Sequence, residues 1–301
     1  MAPPATGTAT PSFRVRALAA VELLKPITWF APMWAFGCGL VSAGISFGTQ
    51  WFVTIIGLLL VGPMVCATSQ AVNDWFDRHV DAINQPERPI PSGRLPGRTG
   101  FWIACVWTVA SLGVGALLGQ IVLAATVFAL ILAWIYSAPP LRLKTNGWWG
   151  NSAVAICYEG LPWFTAATII SGGVPRTEIL LAVVLYSVGA HGIMTLNDFK
   201  SIEGDTKLGL RSLPVQLGAD RACRLACWVM ALPQLVMLGL LVYWDQPFHA
   251  LGLVGLIAVQ FYCMRVLLRD PCGKAPWYNA TGTSLYVLGM LVTAFAMAPA
   301  S

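Results

Sequence analysis

The chain has 301 residues, 57% of them hydrophobic and only 10% charged, with a formal net charge of +5. A soluble domain carries about 25% charged residues, so this composition excludes a single globule facing water on all sides. The positive charge follows a membrane pattern, set out below, so no nucleic-acid partner is expected.

In chain order, residues 1–12 are rich in Ala, Pro and Thr and read as a disordered tail. They lack the apolar core and cleavage site of a signal peptide. From residue 13 to 301 the chain reads as one transmembrane domain. Apolar runs long enough to cross a bilayer as helices fall at roughly 27–48, 51–72, 101–119, 121–138, 152–171, 178–197, 222–244, 248–268 and 279–298. The fold class is therefore all-α and polytopic, with nine expected spans. Helices are required because backbone polar groups in lipid must be satisfied within the segment, and non-alternating runs exclude a β-barrel. Of the 18 Lys and Arg residues, only Arg176 falls in a connection on the far side. The positive-inside rule places the others, and the N-terminus, in the cytoplasm. The eight cysteines form no C-x-x-C pair and read as small packing residues rather than a zinc or disulfide framework.

Two segments that leave expected spans on the cytoplasmic side resemble each other. Residues 73–81 read N-D-W-F-D-R-H-V-D, and residues 197–205, beginning 124 positions later, read N-D-F-K-S-I-E-G-D. On a helix, Asn73, Asp77, Asp81 and Asp74 fall at about 0°, 40°, 80° and 100°. Asn197, Asp198 and Asp205 fall on an equivalent arc, with Ser201 in the place of Asp77 and Glu203 off the face. Carboxylates this close repel one another, and a divalent cation removes that cost. Hard oxygen donors without His or Cys point to Mg²⁺, which takes a few carboxylates, waters and substrate phosphate. The duplicated spacing sets these acids apart from a merely solvated helix end. His79, interleaved in the first segment, reads as a solvated neighbour.

Bases surround both segments. Arg88 and Arg94 lie in P-E-R-P-I-P-S-G-R after the first, and Arg142 and Lys144 in Y-S-A-P-P-L-R-L-K. Lys200, Lys207 and Arg211 lie in or after the second. Acids for Mg²⁺ and bases for phosphate oxygens make a diphosphate-binding site the natural reading, although topology alone also explains basic loops.

The series N-D-x-x-D-x-x-x-D, R-P-I-P-S-G, Y-S-A-P-P-L-R-L-K and a second acidic motif resembles the UbiA superfamily of intramembrane prenyltransferases over nearly the whole chain after the tail. Within it, L-K-P-I-T-W-F at 24–30, D-R-H-V-D-A-I-N, N-G-W-W-G-N at 146–151 and N-D-F-K-S-I-E-G-D-T-K-L-G-L-R-S-L-P at 197–214 are most similar to the chlorophyll and bacteriochlorophyll synthases, the bacterial branch above all. The resemblance implies a nine-helix bundle with an internal repeat in a bacterial inner membrane, its site open to the cytoplasm. The implied reaction uses Mg²⁺ to transfer a geranylgeranyl or phytyl group from its diphosphate to the propionate of a (bacterio)chlorophyllide. Asn73, Asp74, Asp77, Asp81, Asn197, Asp198 and Asp205 would bind metal, with Asp77, Asp81 and Asp205 catalytic. Arg88, Arg94, Arg142, Lys144, Lys200, Lys207 and Arg211 would take the diphosphate. Where many superfamily members carry Asp, this chain has Ser201, so no ligand role is carried over to it.

Three further residues are expected near the acceptor. Glu159 and Trp163 share the stretch C-Y-E-G-L-P-W-F. A mid-membrane carboxylate is costly enough to suggest function, with a structural hydrogen bond as the alternative. His191 could ligate the tetrapyrrole's central Mg²⁺ or simply pack. Membrane lipid and other pigment-biosynthesis or light-harvesting assembly proteins complete the implied partners. The rival readings are a quinone-pathway aromatic prenyltransferase and a transporter. Acids at span ends rather than mid-membrane disfavour the transporter.

Overall fold

The computed structural model describes residues 11–299; the expected tail at 1–12 lies outside them except for Pro11 and Ser12. A short helix α1 (Phe13–Leu23), capped by the Ser12 hydroxyl, comes before the first span and was not expected from the sequence. A 3₁₀ turn, Pro26–Trp29, leads into α2 (Phe30–Ser42). Helix α3 (Phe47–Leu59) runs through a π segment, Leu60–Cys66, into α4 (Ala67–Asn84). Then come α5 (Thr99–Leu118), α6 (Gln120–Ser137), α7 (Gly147–Ala155) and α8 (Leu161–Ser171), with a second π segment, Ile156–Gly160, joining the last two. Helix α9 (Thr177–Asn197) passes through a 3₁₀ turn, Asp198–Ser201, into α10 (Ile202–Lys207) and the short α11 (Leu213–Leu217). Helices α12 (Ala219–Tyr243), α13 (Pro247–Leu267) and α14 (Pro271–Met297) complete the chain.

The architecture is an all-α membrane bundle. Among the described residues, eight helices are long and apolar enough to span, the longest being Gly48–Asn84 at 37 residues. The expected first span at 27–48 is the exception, because α2 has 13 residues and stops at Ser42. The other expected spans are present with shifted ends, and the second continues unbroken through the first acidic motif. Large apolar side chains such as Leu117, Phe248 and Ile55 face outward. In water that surface would be unstable, whereas lipid accommodates it. With lipid as solvent, helix association relies on close packing around small residues. A Cβ on Gly192 of α9 would lie 2.6 Å from the Ala226 carbonyl of α12, and one on Gly39 of α2 would collide with the Trp163 carbonyl of α8.

Both π segments have a proline as their local cause. Pro63 lies inside Leu60–Cys66 and Pro162 follows Ile156–Gly160. Proline donates no N–H and crowds the preceding turn, and a widened turn relieves both conflicts. The two bulges face one cavity, described below.

The connections sort to two ends. Lys25 reaches Asp74 at 2.6 Å, Lys144 reaches Asp77 at 2.5 Å, and Arg211 exchanges backbone hydrogen bonds with Thr145 and Gly147, all at one end. At the other end, Arg176 donates to the Met297 carbonyl, and Gly44 packs on Pro299. With Cys272→Ser to remove the exposed natural thiol, a membrane-impermeant maleimide should label Asn84→Cys and Leu208→Cys from the same side and Val174→Cys from the opposite side. Labelling of positions 84 and 208 from opposite sides would contradict this arrangement.

Candidate active site

A cavity of about 360 Å³ lies between α4, α6, α7, α9 and the two π segments. Its polar end carries Asn73, Tyr136, Asn151, Asn197 and Asp198, with Gln70 and Tyr158 further in. Its deep end is apolar, lined by Val65, Ala129, Ala133, Val154 and Met194. Both acidic segments thus contribute to one space.

The first motif divides by angle. Asn73 faces the cavity and donates to Ser137 Oγ at 3.1 Å. Asp77, one turn on, receives Lys144 Nζ on both oxygens, with Arg142 at 3.8 Å. Asp74 and Asp81 turn to the flank, where Arg88 bridges them at 3.3 and 2.8 Å. Asp74 is 2% exposed and also binds Lys25. The four groups of the expected metal arc thus divide into two pairs, Asn73 with Asp77 and Asp74 with Asp81. The ~80–100° that separates these groups from Asn73 places them against different neighbours. Asp74 serves as an anchor for two bases and is not placed to face the cavity.

The second motif is not the regular helix that its spacing suggested. The 3₁₀ turn at Asp198–Ser201 changes the angular step, so the arc equivalent to the first motif does not form. Asp198 lines the cavity and accepts from Asn151 Nδ2 at 3.0 Å. Asn197 Oδ1 accepts from Asn279 Nδ2 of α14 at 2.9 Å. Ser201 Oγ lies within hydrogen-bond distance of both the Asp198 carbonyl, at 3.0 Å, and Asp205 Oδ2, at 3.2 Å.

The bases separate in the same way. Lys144 sits between spans, where burial pulls its pKa down and the adjacent Asp77 carboxylate opposes that effect. Arg94 does not approach the cavity. It forms a two-pronged pair with Glu22 of α1, at 2.5 and 2.9 Å, which holds the Glu22 carboxyl below its ordinary pKa. Lys207 is exposed and paired with Glu203 on the outer surface, while Lys200 and Arg211 are also exposed. These long side chains prefer water to the bundle interior, which explains why a basic sequence neighbourhood did not become a basic wall.

The three expected acceptor residues lie off the cavity walls. Trp163 is fully buried, stacked on Tyr186 with centroids 5.6 Å apart and bonded to Ser42 Oγ, so it is a packing residue. His191 is buried with its ring 5.9 Å from that of Trp148. Glu159 belongs to the same π turn as the cavity residues Cys157 and Tyr158 but points into the core with Oε2 unpartnered. Sequence reasoning assigned no role to Gln70, Tyr136, Tyr158, Asn151 or Asn279. Gln70 lies nearly one turn before Asn73 on the same helix and could have been found by extending that stripe. Asn279 had no sequence signal, because only packing of α14 brings it to Asn197.

Among the described residues, no group of three or more His, Cys, Asp and Glu side chains converges on one point. The donors at the polar end of the cavity, Asn73, Asn197 and Asp198, are hard oxygens with one carboxylate among them, a set that fits an ion completing its shell with water and phosphate, as Mg²⁺ does.

The UbiA prenyltransferase family model matches residues 27–298. The chain is 57% identical to the "Bacteriochlorophyll synthase 33 kDa chain" of Cereibacter sphaeroides, covering 93% of this chain and 92% of that protein. It is 50% identical to the protein of the same description from Rhodobacter capsulatus, covering 93% of each. The fold resembles the solved structure of a UbiA homolog from Archaeoglobus fulgidus bound to GPP and Mg²⁺, with a TM-score of 0.71, 19% identity, and coverage of 89% of this chain and 99% of that one. The chain belongs to the UbiA prenyltransferase family.

Asp74→Asn should lower stability by about 1–3 kcal/mol, since both partner cations keep some solvent, read as a lower Tm in detergent. Ser201→Ala should retain most activity and the same Mg²⁺ requirement. A loss as deep as that of Asp205→Asn would instead make the hydroxyl indispensable.

Proposed function

We infer that this UbiA-family prenyltransferase esterifies bacteriochlorophyllide with a polyprenyl group, the bacteriochlorophyll synthase reaction. The observation that carries the inference is 57% identity to a bacteriochlorophyll synthase chain across nearly the full length of both proteins. The cavity adds its own support: amides and acids at one end and apolar walls at the other suit a molecule with an anionic head and a hydrocarbon tail. The Archaeoglobus relative, bound to a prenyl diphosphate and Mg²⁺, has the same fold.

In this reading Asn73 and Asp77 hold one Mg²⁺, with Asp81 joining as Arg88 turns to the substrate. Asn197, Asp198 and Asp205 serve a second ion. When bound, the ions act as Lewis acids toward the diphosphate. Lys144 and Arg142, already at Asp77, and Arg88, already at Asp81, supply positive charge to the phosphate oxygens. The allylic C–O bond breaks with its electron pair leaving on diphosphate. The Tyr136 and Tyr158 rings line the space where the allylic cation develops, and their π faces stabilise it. The acceptor propionate is already ionised at neutral pH. One of its oxygens bonds to the allylic carbon, giving the ester and free diphosphate without a general base. A quinone-pathway acceptor would require removal of a ring proton, a step that ester formation does not need.

The first span, 3₁₀ turn plus α2, is short but runs from Lys25 at the Asp74 end to Gly44 at the Pro299 end. We count it as the ninth span of a single domain from residue 13 onward. The basic loops support a site on the cytoplasmic side of the inner membrane. The two half-motifs on one cavity favour an origin by internal repeat. Other pigment-biosynthesis or light-harvesting assembly proteins are proposed partners in the same membrane.

Membranes containing the protein, given bacteriochlorophyllide, Mg²⁺ and geranylgeranyl diphosphate, should yield the esterified pigment on chromatography, while a hydroxybenzoate acceptor should yield nothing. Asp77→Asn and Asp81→Asn should each abolish esterification, with excess Mg²⁺ rescuing partially at best. Glu203→Gln, whose side chain pairs outward with Lys207, should keep near wild-type turnover. Near wild-type rates for both Asp variants would sink the carboxylate–Mg²⁺–diphosphate mechanism.

A further inference from the structure

We propose that Val65, Ala129 and Cys157 form a partition that sets how many isoprene units the donor carries. This specificity role rests on the prenyl-transfer reading above. The three side chains belong to two cavities at once. On one side lies the 360 Å³ space that begins at Asn73, Asn197 and Asp198. On the other lies a smaller void of about 20 Å³, bounded further on by Leu60, Leu161 and Thr165. It has room for about one water, and of the two hydroxyls on its walls that of Thr126 is spent on its own backbone at Val122.

The depths can be measured along the helices. At 1.5 Å per residue in α4 and somewhat less through the wider π turn, Val65 lies ~11 Å below Asn73, and Leu60 lies ~17 Å below it. On α6, Ala129 lies ~10 Å below Tyr136 and Ala125 ~16 Å. Carbon–carbon bonds of about 1.5 Å in a zigzag give each isoprene unit an advance of roughly 5 Å. A diphosphate anchored at the acidic end therefore fits two units above the partition. A four-unit tail reaches the level of Leu60 and has to pass Val65, Ala129 and Cys157, widening the small void beyond. Ala129 is the smallest of the three, so it governs whether the passage exists. A tail that instead left sideways between helices into lipid would be indifferent to all three residues.

The test uses purified full-length protein with bacteriochlorophyllide, Mg²⁺ and geranyl, farnesyl or geranylgeranyl diphosphate, reading kcat/KM for each donor relative to wild type. Ala129→Phe should lower the geranylgeranyl-to-geranyl ratio by well over a hundredfold, since it leaves two isoprene units unburied and roughly four methylene groups already account for that factor. Ala125→Phe, one turn deeper, should spare geranyl and farnesyl transfer and lower geranylgeranyl transfer by a similar factor. If Ala129→Phe fails to fold, Ala125→Phe decides. Wild-type ratios in both variants, or equal loss of all donors in both, would overturn the partition. Failure of the wild-type protein to esterify bacteriochlorophyllide with any donor would overturn the prenyl-transfer reading instead.

Discussion

Neutralising three carboxylates on one helix is the constraint on which the site depends. Asp74, Asp77 and Asp81 occupy little more than two turns of α4, where mutual repulsion and partial burial both oppose their charge. The chain answers with bases drawn from three separate stretches: Lys25 before α2, Arg88 after α4 and Lys144 before α7. Each pairing fixes a loop that would otherwise be free. Arg94, bound to Glu22, then ties the loop after α4 to α1. Lys25 and Arg142 adopt positive φ angles of 46° and 41°, which non-glycine residues rarely do, so the backbone strains to deliver these charges.

This arrangement also explains how a site for an anionic substrate stays open at the edge of a membrane. Bases that already sit on carboxylates cannot collapse into the cavity or escape to water, and they remain within reach of phosphate oxygens. Asp74 has a different duty from its neighbours, since it is buried and anchors two cations. The second motif is held by amides instead: Asn151 on Asp198 and Asn279 on Asn197. Polar hydrogen bonds between helices thus align the last span of the chain with chemistry encoded far upstream.

The cavity itself originates in backbone defects. Two prolines widen two helices into π turns, and both bulges border the same space. Regular helices packed through Gly39 and Gly192 close the bundle elsewhere, so the void is local. Its polar mouth and apolar floor follow from its position at the end of the bundle. Carboxylates and amides remain near water, and the side chains become apolar with depth.

The sequence by itself determined the class, the membrane and the two acidic segments. Each of these depends on composition or on spacing along one helix, and apolar run length, charge bias and a 100° step are all one-dimensional properties. Tertiary structure alone decided which acids share a base, why Arg94 and Lys207 turn away from the cavity, and why Trp163 packs in the core. It also replaced the expected helical arc at Asp198–Ser201 with a 3₁₀ turn, and it brought Asn279 to Asn197 from 82 residues away. The physical reason is that a side chain's partner is chosen by the helices it packs against. In a bundle held by close packing around small residues, those neighbours come from distant parts of the chain.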